Sequence, residues 1–161
     1  MIKKTNLPHH SLLNSPEKTY HYIDSFSGTL TDKNNSLDAK DVCKTFFSSA
    51  PKWIGTLLTI RNKIVSAFGL KTSGKEVDLQ KQLDQFTCEP GEQLGLFKVF
   101  SKSDNEVVLG EDDKHLNFRV SLLLDKKSDD PLKKDLIIST VVEFNNAFGR
   151  FIFYLFNRFI K

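Results

Sequence analysis

The chain has 161 residues, 39% of them hydrophobic and 27% charged, with a formal net charge of +3. That length is enough for one domain around a single core. Basic and acidic residues are interleaved almost throughout, which argues against the basic, aromatic-studded stripe of a nucleic-acid groove. No window approaches the ~18–20 apolar residues that a membrane span needs. Lys3 and Lys4 are followed by no apolar run of a secretory signal. Cys43 and Cys88 lie in separate segments without metal-ligand spacing. They read as one disulfide or, more simply in a cytosolic protein, as two reduced thiols. A cytoplasmic protein without metal or cofactor is expected.

Residues 1–19 are polar, with Pro8, His9, His10 and Pro16, and read as a flexible arm ahead of a single domain over 20–161. The alternation in YHYIDSF, 20–26, predicts a first strand. Residues 29–36 read as loop. Asp38 is placed to cap a helix running to about Ser48, with Val42, Thr45, Phe46 and Phe47 inward. Pro51 suits the first turn of a second helix. Its stripe is Trp53, Ile54, Leu57, Leu58, Ile64, Val65 and Phe68, closed by Gly69. The segment 71–93 is long and polar, with a short amphipathic turn at Leu79, Leu83 and Phe86. It reads as surface excursion or as lid.

Four strands follow, over 94–100, 106–111, 115–124 and 136–144. Ser103–Asn105 and Asp112-Asp113 mark turns, and 125–135 is a charged loop. If Asp112-Asp113 is a two-residue turn, Leu109 faces Leu116 and Val107 faces Phe118 on one side. On the other side Glu106 faces Arg119, Val108 faces Asn117 and Gly110 faces His115.

The last stretch, NNAFGRFIFYLFNRFIK, carries the highest aromatic density in a chain with 14 Phe. Phe148, Phe151, Ile152, Leu155, Phe156 and Phe159 recur at helical spacing and form one apolar face. Asn145 or Asn146 is placed to cap it. This helix must bury most of its surface, and the simplest partner is a sheet curled around it.

The order strand, helix, helix, meander, long apolar helix resembles the helix-grip fold of the SRPBCC superfamily, the START-like and birch-pollen-allergen-like domains. Within it, three stretches resemble one bacterial family known as a domain of unknown function. These are FFSSAPKWIGTLLTIRNKIVSAFGLKT (46–72), VVLGEDDKHLNFRVSLLLD (107–125) and STVVEFNNAFGRFIFYLF (139–156). The resemblance implies an α+β fold: a curved antiparallel β-sheet wrapped around a long C-terminal helix, with two shorter helices after the first strand. A hydrophobic cavity between sheet and helix is part of that picture. The family brings no reaction with it, and fold analogy is a weak guide to function.

Several residues are candidates for chemistry. Glu111 to His115 form a polar knot that reads as metal or acid–base site, or more plainly as a solvated turn. His115, Asn117, Arg119 and Ser121 alternate along one strand face. They could hold a polar ligand head through Arg119, or form a wet outer face with Arg119 paired to Glu106. Arg61 interrupts an apolar stripe and either reaches a ligand anion or snorkels to solvent. No catalytic triad, phosphate-binding glycine loop or His/Cys cluster is present.

Three functions fit. The first is binding of a small hydrophobic or amphipathic molecule, walled by Phe148, Phe151, Ile152 and Leu155, with Trp53 and Leu57 near the mouth. Arg61, His115, Asn117 and Arg119 are its candidate polar contacts. The second is a cyclase- or dehydratase-like enzyme using His115 or Asp112 as a base in an apolar cavity. The third is a solid-core interaction module without ligand.

Overall fold

The computed structural model describes residues 1–49, 79–95, 97–127 and 129–157. Seven strands run along the chain as β1 (Ile2–Thr5), β2 (Tyr22–Thr31), β3 (Gln93–Leu94), β4 (Phe97–Lys102), β5 (Glu106–Asp112), β6 (Leu116–Lys126) and β7 (Lys133–Phe144). Three short helices accompany them: α1 (Ala39–Ser48), α2 (Leu79–Gln85) and α3 (Ala147–Asn157). The strands form one antiparallel sheet in the order β1-β2-β7-β6-β5-β4-β3. From β3 to β7 each strand neighbours the next in sequence, as a meander. β2 then adds beyond β7 along ten residue pairs, Tyr22↔Val142 to Thr31↔Lys133.

The β5–β6 hairpin turns two residues later than expected, at Lys114 and His115, where the Asp113 N–H donates to the Leu116 carbonyl at 3.1 Å. Its last pair is Asp112↔Asn117, so Leu109 faces Val120, Val107 faces Leu122 and Gly110 faces Arg119. The expected register is corrected by four residues. An even slip leaves every side chain on its expected face while changing every partner. Gly110 permits the close approach of the two strands there, because a Cβ would lie 2.1 Å from the Phe118 carbonyl oxygen.

Both faces of the sheet are covered, which is why Glu106, Val107, Val108, Leu109 and Gly110 are buried in succession along β5. The first face carries the main core. There Val99, Val107, Leu109, Val120, Leu122 and Leu124 pack with Ala39, Val42, Cys43 and Phe47 of α1 and with Phe86, Cys88 and Leu94. Each large side chain taken out of water here contributes about 1.5–3 kcal/mol. Phe47 meets Phe86 and Phe97 edge-on, with ring centroids 5.5 Å apart in both pairs, the geometry that the ring quadrupole favours. α1 starts as expected. Asp38 accepts from the Asp41 N–H at 2.8 Å, and the Asp41 carboxylate accepts from the Asp38 N–H, a reciprocal cap.

The second face is covered by the chain's own first twenty residues. β1 pairs with β2, and the segment after it lays Leu13, with Leu7 and Tyr20 beside it, on Val108, Val141 and Phe100. At one end of the first face Lys134 and Asp32 form a buried ion pair at 2.7 Å. Asp32 also accepts from the Ser36 and Leu37 N–H groups, and Lys134 donates to the Leu37 carbonyl. These bonds satisfy both charges, as their burial demands.

The helix-grip architecture does not hold. The described chain is mainly β, and α3 is an eleven-residue helix that no sheet encircles. α1, Phe86 and Leu94 already fill part of the first face. α3 is fixed by its start instead, because Gly149 sits so tightly on the β5–β6 loop that a Cβ would fall 1.9 Å from the His115 carbonyl oxygen. Its inward contact is Phe153, packed on Tyr22 and Phe144 at 4.8 and 5.4 Å. Phe151, placed by its periodicity on the buried stripe, is 64% exposed. The second helix expected after the first strand, with Trp53, Leu57 and Arg61, lies outside the described residues, as does Phe159.

Candidate functional site

Two places on the sheet gather polar side chains beside apolar ones. The first is where α3 meets the β5–β6 loop. Asn146 is the N-cap of α3, its Oδ1 accepting from the Gly149 N–H at 2.9 Å. Its amide nitrogen donates to the Lys114 carbonyl at 3.1 Å and to His115 Nδ1 at 3.1 Å. Asn145 donates to the Asp113 carbonyl at 2.7 Å and to Asn117 Oδ1 at 3.0 Å. The Asn145 N–H reaches the His115 carbonyl at 2.9 Å. The His115 ring stands edge-on to Phe148, centroids 4.9 Å apart. His115, Asn117 and Phe148 are thus brought together, and their polar atoms hold the loop to the helix.

Arg119 is bound up two residues further along β6. Its guanidinium lies 3.5 Å from the Phe100 ring centroid, a close cation–π stack. It donates to Asp112 Oδ1 at 2.7 Å and to the Phe118 and Glu111 carbonyls. The expected pairing with Glu106 is replaced by the pair with Asp112, because the four-residue shift moves Arg119 to the hairpin end. Asp112 is exposed, and His115 is half-buried against Phe148. Neither faces the main core.

Glu106 was expected on a wet outer face, and the structure buries it instead. It is 1% exposed, and among the described residues its donors are neutral: Ser11 Oγ at 2.6 Å, Ser121 Oγ at 2.5 Å and the Leu12 N–H at 2.8 Å. These bonds latch the N-terminal segment to the second face. The alternation that put Glu106 and Ser121 on one face was legible. The partner, 95 positions earlier in the chain, carried no local signal.

The second place lies on the first face, along β2, β7 and β6. Tyr22, Asp24 and Phe26 alternate on β2 opposite Val142, Thr140 and Ile138, and these in turn face Phe118, Val120 and Leu122. Val120, Val142 and Leu122 are buried, whereas Tyr22, Asp24, Thr140, Ile138 and Phe118 keep partial exposure and Phe26 is exposed. Asp24 Oδ1 is 2.9 Å from Lys4 Nζ, and Asp24 Oδ2 accepts from the Tyr22 hydroxyl at 3.1 Å. A carboxylate, an ammonium and two hydroxyls therefore interrupt a strip that is otherwise aromatic and aliphatic.

A family model described as protein of unknown function (DUF2867) matches residues 17–159. The chain belongs to the DUF2867 family. The match runs from just before β2 through α3, so it takes in both polar places except Lys4, which lies ahead of it. No curated protein and no solved structure matches the chain. Of the candidate ligand-binding residues in this DUF2867 domain, Phe148 and Phe151 are exposed on α3. Ile152 and Leu155 belong to the same helix, and Trp53, Leu57 and Arg61 lie outside the described residues. Among the described residues no cluster of three His, Cys, Asp or Glu is arranged to hold a metal ion, and no helix is long and apolar enough to cross a membrane.

Proposed function

We propose that this domain binds a small amphipathic molecule on the strip of the first face between Phe26 and Phe118. The observation that carries the reading is the incomplete cover of that strip. Phe26, Ile138 and Phe118 keep apolar surface in contact with solvent, directly beside Asp24, Thr140 and Tyr22. Apolar walls with a few converging polar groups are the usual composition of a small-molecule site. An apolar body would rest on Phe26 and Ile138, gaining roughly 25 cal/mol per Å² buried before the costs of association. A hydrogen-bonding head would reach Asp24 and Thr140. The site is placed on the strip rather than on the walls Phe148, Phe151, Ile152 and Leu155.

Native mass spectrometry of gently purified protein, followed by organic extraction, tests the reading. A discrete bound mass that disappears on extraction is the expected result. The extracted compound is then titrated back onto wild type, Phe26→Asp and Asp24→Asn. Weakened binding in both variants supports the strip, and unchanged affinity in both refutes it.

A further inference from the structure

Cys43 lies on the inner side of α1, and Cys88 lies in the turn between α2 and β3. Both are free and fully buried. Two rungs join these elements. Phe47 meets Phe86 edge-on at 5.5 Å. One helical turn back from Phe47 and two residues on from Phe86, Cys43 and Cys88 lie buried in the same core cluster as that ring pair.

The turn that holds Cys88 is a surface turn. Thr87, Glu89, Pro90 and Gly91 are all exposed. Cys88 points inward from it because its φ is 60°, in the left-handed region that residues with a Cβ seldom occupy. A clasp keeps it there. The Glu92 carboxylate accepts from the Thr87 N–H at 3.1 Å, the Thr87 hydroxyl at 2.9 Å and the Glu89 N–H at 2.8 Å. Lys102 then ties down Glu89 at 2.6 Å. One thiol is thus held just beneath solvent by bonds that lie at the surface, with a second thiol directly behind it.

We propose that Cys43 and Cys88 are a redox-responsive pair that closes a reversible disulfide and fastens α1 to the turn before β3. The oxidant is a small-molecule disulfide of the glutathione class. When the clasp opens, the Cys88 thiolate attacks one sulfur of that disulfide, its S–S bond breaks, and the departing thiolate takes up a proton. The Cys43 thiolate then attacks the Cys88 sulfur of the mixed disulfide and releases the second small thiol. The protein pair loses two hydrogens and the oxidant gains them. The order follows from position, since Cys88 lies in a surface turn with exposed neighbours and Cys43 lies on the inner side of α1.

The test is incubation of the full chain with oxidised glutathione without denaturant, read by intact mass and by peptide mapping after alkylation. Wild type should lose two hydrogens, yield a Cys43–Cys88 cross-linked peptide, and revert with dithiothreitol. Cys43→Ser should stop at a glutathione adduct on Cys88. Glu92→Gln, which keeps both thiols, should speed cross-linking several-fold. Separate glutathione adducts on both cysteines of wild type without a cross-link would overturn the proposal. So would a failure of wild type to react until denaturant is added, a result that does not depend on how any variant folds.

Discussion

Glu106 offers the most discriminating stability experiment. Its carboxylate accepts three hydrogen bonds, from Ser11, Ser121 and Leu12, and it is buried with Ser11 and Ser121. Hydrogen bonds to a charged group contribute about 1.5–3 kcal/mol each, and an acceptor removed from a buried donor costs about 1–3 kcal/mol. In Glu106→Gln, the remaining oxygen can turn to the Leu12 N–H, which can only donate. The new NH₂ then faces two hydroxyls that can rotate to accept. The expected loss is about 1–2 kcal/mol, the difference between charged and neutral bonds. In Glu106→Ala, Ser11, Ser121 and the Leu12 N–H all lose their acceptor and a void opens, for an expected loss of about 3–4 kcal/mol. Urea unfolding gives both numbers, and native-state hydrogen exchange gives the local one. The Leu12 amide should exchange much faster in Glu106→Ala and only modestly faster in Glu106→Gln. Equal destabilisation by the two substitutions, or an unchanged Leu12 amide in the Ala variant, would refute the latch.

Three further outcomes follow from the packing. Gly149→Ala forces a methyl against the His115 carbonyl and should cost about 1–3 kcal/mol in urea unfolding. Phe151→Asp alters a largely exposed side chain and should change stability by no more than about 0.5 kcal/mol; a loss of several kcal/mol would restore a buried helix. Asp32 is held below the usual carboxylate range, first by its bond with Lys134 and further by the Leu37 and Ser36 N–H groups, against the opposing effect of burial. A depressed carboxylate stabilises the fold above its unfolded pKa of about 3.9 and loses that contribution as pH falls through the lower folded value. Wild type should therefore show a steep acid loss below about pH 4 that Lys134→Met lacks, measured by thermal unfolding across pH.

The parts of the chain that the sequence made legible are those decided by near neighbours. Asp38 with Asp41 specifies the start of α1 within four residues, and Asn146 specifies that of α3. Strand alternation sorted β5 and β6 onto the right faces, but it could not choose among registers that differ by an even number. The turn residues Asp112 and Asp113 suggested a turn centred on themselves, whereas the chain turns at Lys114 and His115. In α3 the 3.6 period grouped Phe148 and Phe151 correctly on one side. Periodicity states which residues share a face and is silent on which face meets the protein. Phe153, which is not among the residues of that face, makes the contact. The N-terminal segment was the hardest to read. Leu13 and Ser11 are isolated in polar sequence, and their partners come nearly a hundred residues later. The candidate strip was half visible: Tyr22 and Asp24 were seen to alternate, but the value of that alternation depends on Thr140, Ile138 and Phe118, brought beside it by β7 and β6.

The position of β2 next to β7 has a consequence for how this protein is made. β2 leaves the ribosome early, and its only partner from the meander is the last strand of the sheet. Until residue 144 has emerged, β2, β1 and the segment that carries Leu13 have no finished surface to join. The meander from β3 to β6 can form hairpin by hairpin, whereas β1 and β2 must wait for β7. Folding dominated by such distant pairings is slow, on the order of milliseconds to seconds, and an unpaired β2 bearing Ile23 and Phe26 is then an open edge for wrong partners. β1 and β2 precede the meander in the chain and are nevertheless the last strands to find their place in the sheet.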